Sequence, residues 1–106
     1  MDDRERQSRD AKRRHLERML PRGDGFHEVS RGRAGTIYYR EGERVLALEW
    51  EMNAVEPGII LYLHGLDEWV LPAPEPTSAA DRRRLRAALD RYAGRYRGTV
   101  RFVEDT

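Results

Sequence analysis

The sequence contains no cysteine, a single lysine and no long apolar run, the longest being the five residues at positions 59–63. The absence of cysteine excludes disulfides, thiolate metal ligands and a cysteine nucleophile. Five apolar residues fall far short of the roughly 20 that a membrane-spanning helix needs. The first residues are charged and lack the apolar segment of a secretory signal, so we expect a cytoplasmic protein with no membrane contact.

Charged residues make up 37% of the 106 positions and hydrophobic residues 39%, a polar composition that still permits a packed core. A chain of this length suits one domain rather than two. Arginine occurs 19 times. We interpret this excess first as the codon usage of a GC-rich bacterial genome, and only second as a sign of binding.

The charges are unevenly distributed along the chain. Residues 1–34 carry a net charge of +3, residues 35–76 carry −6 and residues 77–106 carry +4. An acidic middle between two basic ends can steer a charged partner toward the protein, or it can be neutralised within the fold. The sequence leaves both alternatives open.

The N-terminal segment is predicted to form a charged helix over residues 3–20. Opposite charges recur three or four positions apart, whereas an apolar stripe appears only near the end, at Leu16, Met19 and Leu20. We therefore expect residues 1–22 to form a solvated arm that docks by its end, and residues 23–106 to form a single domain. Because the first ten residues carry no apolar stripe, we expect them to be dispensable for folding.

Strands are predicted over residues 26–30, 36–40 and 43–52, with a tight turn at Glu41-Gly42 between the second and third. The third strand alternates, so that one face carries apolar side chains and the other carries acids. The apolar face has Leu46, Leu48, Trp50 and Met52, and the opposite face includes Glu49 and Glu51. The stretch IILYL at 59–63 is apolar at every position, which predicts a central strand covered on both faces.

Three prolines at 72, 74 and 76 indicate an extended connector before the last helix. Ser78 and Asp81 form a capping pattern at the start of this helix, Gly98 ends it, and a final strand follows. The order predicts an α+β fold: a mostly antiparallel sheet of four or five strands, packed by one long C-terminal helix, with the charged helix at the N-terminus. We expect one shared core of Leu48, Trp50, Leu85, Leu89, Tyr92 and Phe102.

The stretch PGIILYLHGLDEW, residues 57–69, contains a strand that runs into His64 and Gly65. Over about seven residues it resembles the oxyanion-hole strand of the α/β-hydrolases, a likeness that would imply a hydrolytic enzyme. The nucleophile motif of that family, G-x-S-x-G, is missing from the sequence. We therefore interpret the segment as a strand leaving the core, and we expect no catalytic residue.

His64 could also join nearby carboxylates in a cluster for a metal ion or for acid–base chemistry. The candidate carboxylates are Glu49, Glu51, Asp67 and Glu68. Their spacing matches no metal-binding motif. The alternative is a solvated strand face on which the glutamates pair with arginines such as Arg40 and Arg101. We favour this alternative, and so expect neither a metal nor a cofactor.

Arginines crowd the first turns of the C-terminal helix, where the helix dipole disfavours positive charge. A surface that contacts phosphate would explain them. The residues of such a surface would be Lys12, Arg13, Arg14, Arg18, Arg82, Arg83, Arg84 and Arg86. Neither an aromatic RNA-binding signature nor a helix-turn-helix pattern accompanies them, so a nucleic-acid-binding accessory protein is the second hypothesis for function.

The first hypothesis is a small non-enzymatic protein that acts by protein–protein contact. Small α+β proteins with a charged sheet face serve, by analogy, as inhibitors, immunity-type neutralisers or adaptors. The partner would be a basic protein or a second copy of the chain, and it would meet the acidic middle of the sequence. The contact residues on this hypothesis are Glu49, Glu51, Glu56, Asp67 and Glu68.

Overall fold

The fold is that of a computed structural model, which describes residues 3–96 and 98–104. In chain order its elements are α1 (Asp3–Met19), β1 (Gly25–Ser30), β2 (Ala34–Glu41), β3 (Arg44–Met52), β4 (Gly58–Tyr62), a 3-10 helix (Leu63–Asp67), β5 (Glu68–Trp69), β6 (Glu75–Pro76), α2 (Ala79–Gly94) and β7 (Thr99–Val103). Neither helix in these two ranges is long and apolar enough to cross a membrane.

Five strands form one sheet in the order β1-β2-β3-β4-β7. The first four are antiparallel to their neighbours, whereas β7 pairs in parallel with β4 after the chain has passed through α2. Helix α2 packs against one face of this sheet, and β5 and β6 form a separate two-stranded ribbon. The predicted α+β fold with a mostly antiparallel sheet is confirmed.

The main core lies between α2 and the sheet, where the alternating side chains of β3 meet the apolar face of the helix. The predicted shared core is confirmed: it contains the buried residues Leu48, Trp50, Leu85 and Leu89, with Tyr92 and Phe102 packed against them. Burial, together with a smaller contribution from the carboxylate of Glu28, raises the pKa of Tyr92 to about 12. The Tyr92 hydroxyl donates a hydrogen bond to this carboxylate at 3.3 Å, which ties α2 to β1.

A second, smaller cluster lies on the opposite face of the sheet and holds α1. Leu20, Val45 and Leu71 are buried there, and Leu16 packs against them. No residue of α1 itself is buried, and Met19 is 39% exposed although its position in the sequence pattern predicts docking. Helix α1 is thus attached by its C-terminal end, as a helix with a largely charged surface must be.

The β2–β3 hairpin differs by one residue from the sequence prediction. Glu41 pairs with Arg44, so the two turn residues are Gly42 and Glu43 rather than Glu41 and Gly42. Gly42 has a φ of 64°, a conformation that glycine adopts without steric cost. Its N–H donates to the carboxylate of Asp24 at 2.9 Å, which fixes the turn against the segment before β1.

The His-Gly segment lies at a break in the sheet. Strand β4 pairs with the last three residues of β3, and the chain then turns into the 3-10 helix. This helix approaches β3 so closely that a Cβ on Gly65 would lie 2.0 Å from the carbonyl oxygen of Ala47. The chain returns to β3 at Leu71, which bridges to Val45. Glycine at position 65 is therefore explained by a close backbone approach.

Replacing Leu89 with alanine should lower the free energy of unfolding by about 2–5 kcal/mol, because this fully buried side chain fills the space between α2 and the sheet. Urea titration measures the change. Arg91→Ala, at an exposed position of the same helix, is the matched control and should stay within about 0.5 kcal/mol. A loss under about 1 kcal/mol for Leu89→Ala would contradict the packing of α2.

Deleting residues 1–10 should leave the thermal midpoint of unfolding nearly unchanged, since residues 3–9 are all exposed. Leu20→Ala is the matched contrast: it empties the cluster that docks α1 and should cost about 2–5 kcal/mol. Differential scanning calorimetry compares the two proteins with the wild type. A drop of roughly ten degrees on deletion corresponds to more than about 1 kcal/mol and would show that the start of α1 packs on the domain.

Candidate protein-binding face

The face of the sheet that points away from α2 is only partly covered. Leu16 and Leu20 close one corner of it, where they meet Tyr38 and Val45. Beyond that corner, alternate side chains of five strands form a partly exposed surface, which we call the open face. Its residues are Val29, Thr36, Glu49, Glu51, Ile60, Tyr62, Arg101 and Val103.

The middle of the open face is apolar. Ile60 and Tyr62 lie there half-buried, whereas Ile59 and Leu61, on the other side of β4, are buried in the main core. The prediction that this strand is covered on both faces holds fully only for the face beneath α2, because Ile60 and Tyr62 on the other face are partly exposed. An apolar strand face that folding leaves partly exposed is typical of an interaction surface.

A hydrogen-bonded network fixes the first carboxylate of this face. Arg31 donates to the hydroxyl of Thr36 at 3.0 Å and to Glu49 at 3.3 Å, and the Thr36 hydroxyl donates to the other carboxylate oxygen at 3.3 Å. Thr36 is only 3% exposed, whereas about half of the Glu49 side chain is in contact with solvent. Glu49 is thus held in one orientation, and its charge is neutralised by Arg31.

A second carboxylate lies beside the first on β3. Glu51 is exposed and accepts a hydrogen bond from the hydroxyl of Tyr62. In the strand register Glu51 is opposite Ile60, and Ile60 is opposite Arg101 of β7. An acid, an apolar side chain and a cation therefore lie in one row across three strands, with roughly 10 Å between the two ends of the row at the usual strand spacing.

The loop between β3 and β4 projects beside this row. The side-chain oxygen of Asn53 accepts hydrogen bonds from the backbone N–H groups of Val55, at 2.9 Å, and of Glu56, at 3.4 Å. The side chain of Val55 in this turn is 94% exposed. Val55 is therefore an exposed apolar side chain in a loop whose backbone is held by hydrogen bonds.

The five predicted acidic contact residues do not form one surface. Glu49 and Glu51 lie together on the open face, and Glu56 lies in the loop that follows β3. Asp67 instead binds Arg82 of α2 at 2.9 Å. Glu68 lines a groove against α1. The structure thus places two of the five, Glu49 and Glu51, on one face.

The arginines at the start of α2 are engaged within the fold. Arg84 donates to Glu41 at 2.6 Å and to Asp81 at 3.1 Å, Arg82 binds Asp67, and Arg86 binds Asp90 at 3.2 Å. The hydrogen bond to Glu41 raises the pKa of Arg84. Arg83 is exposed and makes no ion pair with the described residues. Acids from β2 and the 3-10 helix therefore explain cations at a position that the helix dipole disfavours.

The predicted basic residues of α1 lie apart from those of α2. Arg13 binds Asp10 at 3.2 Å and lines the groove between α1 and the ribbon, while Arg14 is exposed. Because α1 docks on the opposite face of the sheet from α2, the two groups of arginines do not form one surface.

His64 lies exposed on the 3-10 helix, in a groove that Arg82, Arg83 and Arg86 also line. Its ring centre is 6.4 Å from that of Tyr62. Among residues 3–96 and 98–104, no three histidine or carboxylate side chains come together in a group that could hold a metal ion. The cluster with Glu49 and Glu51 does not form.

Several residues of the open face escaped the sequence analysis. The alternation that places Glu49 and Glu51 on one face also applies to β4, and it would have indicated Ile60 and Tyr62 as neighbours. Val55 follows an asparagine by two positions, a spacing typical of a turn. The link from Arg31 to Glu49 joins residues 18 positions apart, and no local pattern predicts it.

The chain matches no known family model, no curated protein and no solved structure. Its open face has an apolar centre flanked by charged side chains, of which Glu49 is held in place by Arg31 and Thr36. Side chains that are already ordered lose little entropy on binding, so such a surface suits recognition of another macromolecule.

The capping interaction of Ser78 and Asp81 at the start of α2 should make the stability of the fold depend on pH. The pKa of Asp81 is lowered from its usual 3.8, chiefly by the backbone hydrogen bond from Ser78. Arg84 and Arg44 make smaller contributions in the same direction. Ionised Asp81 therefore stabilises the fold above pH 3.8, and this contribution is lost as the pH falls through the lowered pKa. Asp81→Asn should be less stable than the wild type at neutral pH, with a difference that shrinks below about pH 4.

Urea titrations at about pH 7, 5 and 3 measure this difference. Glu43→Gln is the control, since Glu43 is an exposed acid that makes no ion pair with the described residues. An effect of Asp81→Asn that is the same at all three pH values would contradict the role of the charge.

Proposed function

We propose that this chain is a small non-enzymatic cytoplasmic protein that acts by binding another protein molecule through its open face. An inhibitor, an immunity-type neutraliser or an adaptor would work in this way, and small α+β proteins provide the analogy. The observation that carries the proposal is the apolar pair Ile60 and Tyr62, which lies only half-buried on the open face of the sheet.

The surroundings of this pair support protein contact. Protein interfaces combine an apolar and aromatic centre with a charged rim, and Tyr and Arg are enriched among their main contributors. Here Tyr62 is central, and Glu49, Glu51 and Arg101 surround it. The network that holds Glu49 reduces the entropy lost on binding.

The nucleic-acid hypothesis has less support. Counterion release requires cations that are free to contact phosphate. Arg82, Arg84 and Arg86 are instead bound to acids of the same chain. Their positions are those of an internal ion-pair network, and a phosphate ligand would have to compete with the carboxylates.

Photo-crosslinking from position 60 tests the proposal in cells. A photoreactive phenylalanine analogue incorporated there should capture a protein, which mass spectrometry identifies, while the same group at exposed position 83 on α2 should not. With the captured protein purified, Glu49→Gln combined with Glu51→Gln should lower the association rate roughly tenfold at low salt, because charge acts mainly on encounter.

Arg83→Gln is the matched control, since it removes one exposed charge on the opposite side of the sheet, and it should leave the association rate unchanged. The contrary result is binding of duplex or single-stranded nucleic acid at about 150 mM salt, lost in Arg14→Gln with Arg83→Gln and unaffected by the glutamate changes. That outcome would replace protein contact with nucleic-acid binding.

A further inference from the structure

The charges of the open face are arranged symmetrically about Ile60. Glu51 lies one strand to one side of it and Arg101 one strand to the other. Glu49 adds no net charge, because Arg31 neutralises it. Among the ion pairs of the described residues neither Arg101 nor Glu51 takes part, and Glu51 accepts a hydrogen bond from the neutral hydroxyl of Tyr62. One acid without a cation partner and one cation without an acid partner are thus one strand away from the apolar centre on either side.

Such a row is complementary to its own copy. A twofold axis parallel to β4, above Ile60 and midway between two facing sheets, exchanges the β3 side with the β7 side and turns the face over. It places Glu51 of each copy over Arg101 of the other, and it sets Ile60 and Tyr62 against their own counterparts. Two sheets packed face to face lie about 10 Å apart, a gap that glutamate and arginine side chains can span together.

We infer that the open face binds a second copy of this chain about that axis, forming a symmetric dimer. The inference rests on the proposed function and names the partner. A strongly basic protein is disfavoured, because Arg31 and Arg101 balance the two carboxylates of the face and leave no net negative charge to attract it. A twofold interface needs one surface that complements itself, and this row provides it.

Helix α1 leaves room for the second copy. It docks beside Val45, at the beginning of β3, and the groove along it is lined by Glu68, Val70 and Pro74 of the ribbon. Glu51 is six residues further along β3, roughly 20 Å from Val45 at the usual rise of a strand. The corner that α1 covers and the row that pairs with the second copy are therefore at opposite ends of β3.

The size of the face sets the expected affinity. Five strands span roughly 20 Å, and the uncovered part extends about 15–20 Å along them, which is less than the roughly 800 Å² per partner of a standard interface. We expect a dissociation constant of about 10–100 µM, weakening as salt screens the two ion pairs. Sedimentation velocity from about 5 µM to 1 mM covers this range.

Charge reversal provides the decisive experiment. Glu51→Arg places two cations opposite each other, and Arg101→Glu places two acids opposite each other, so each variant alone should dimerise at least about tenfold more weakly. An equal mixture of the two should recover dimers, because each then presents the charge that the other needs. Both positions are exposed, and recovery in the mixture also shows that both variants are folded.

Arg83→Glu is the matched control: it changes the net charge by the same amount as Arg101→Glu but lies on α2, and it should leave the dimer unchanged. A wild-type chain that is monomeric at about 1 mM would overturn the inference, and so would a dimer that both reversals leave intact. If the chain is monomeric while position 60 crosslinks to a different protein, the dimer is refuted and the proposed function stands. If position 60 captures nothing and the chain is monomeric, both are refuted.

Discussion

The two faces of β3 determine which residues form the main core and which form the open face. Successive side chains of a strand point to opposite sides, so packing Leu48 and Trp50 against α2 forces Glu49 and Glu51 onto the other face. Helix α1 packs on the second face beside Val45, at the beginning of β3. The end of β3 on that face, with Glu49 and Glu51, lies beyond the helix. The open face is therefore a consequence of how one strand is shared between a core and a surface.

Part of the uneven charge along the sequence is neutralised in three dimensions. Acids of the middle segment bind arginines from the two basic ends: Glu41 with Arg84, Glu49 with Arg31, and Asp67 with Arg82. Exposed pairs of this kind contribute little free energy each. Their effect is to specify where α2 sits on the sheet and to hold Glu49 in place, so these three acids serve the protein's own architecture.

Much of the fold could be predicted, because the period of two in β3 and the helical period in α2 each identify an apolar face. Local periodicity could not show that the second face of IILYL stays open, since an apolar residue looks the same in sequence whether its own chain or another molecule covers it. It could not show the 3-10 helix, whose close approach to β3 at Gly65 joins residues far apart in the sequence. In the candidate site, the alternation of β3 predicted that Glu49 and Glu51 share one face. It could not predict that Asp67 pairs with Arg82 of α2 and therefore lies apart from them.

The parallel pairing of β4 with β7 affects the order in which the sheet can form. Hairpins β1–β2 and β2–β3 join neighbours in the chain and close short loops, whereas β4 acquires its outer neighbour only after the connector and α2 have been placed. Until then, the outer edge of β4 presents unpaired backbone groups beside Ile59 and Leu61. During synthesis this edge of β4 stays unpaired until β7 has been made. An unpaired strand edge can pair with a strand of another chain, so an unfinished chain is open to aggregation at this edge.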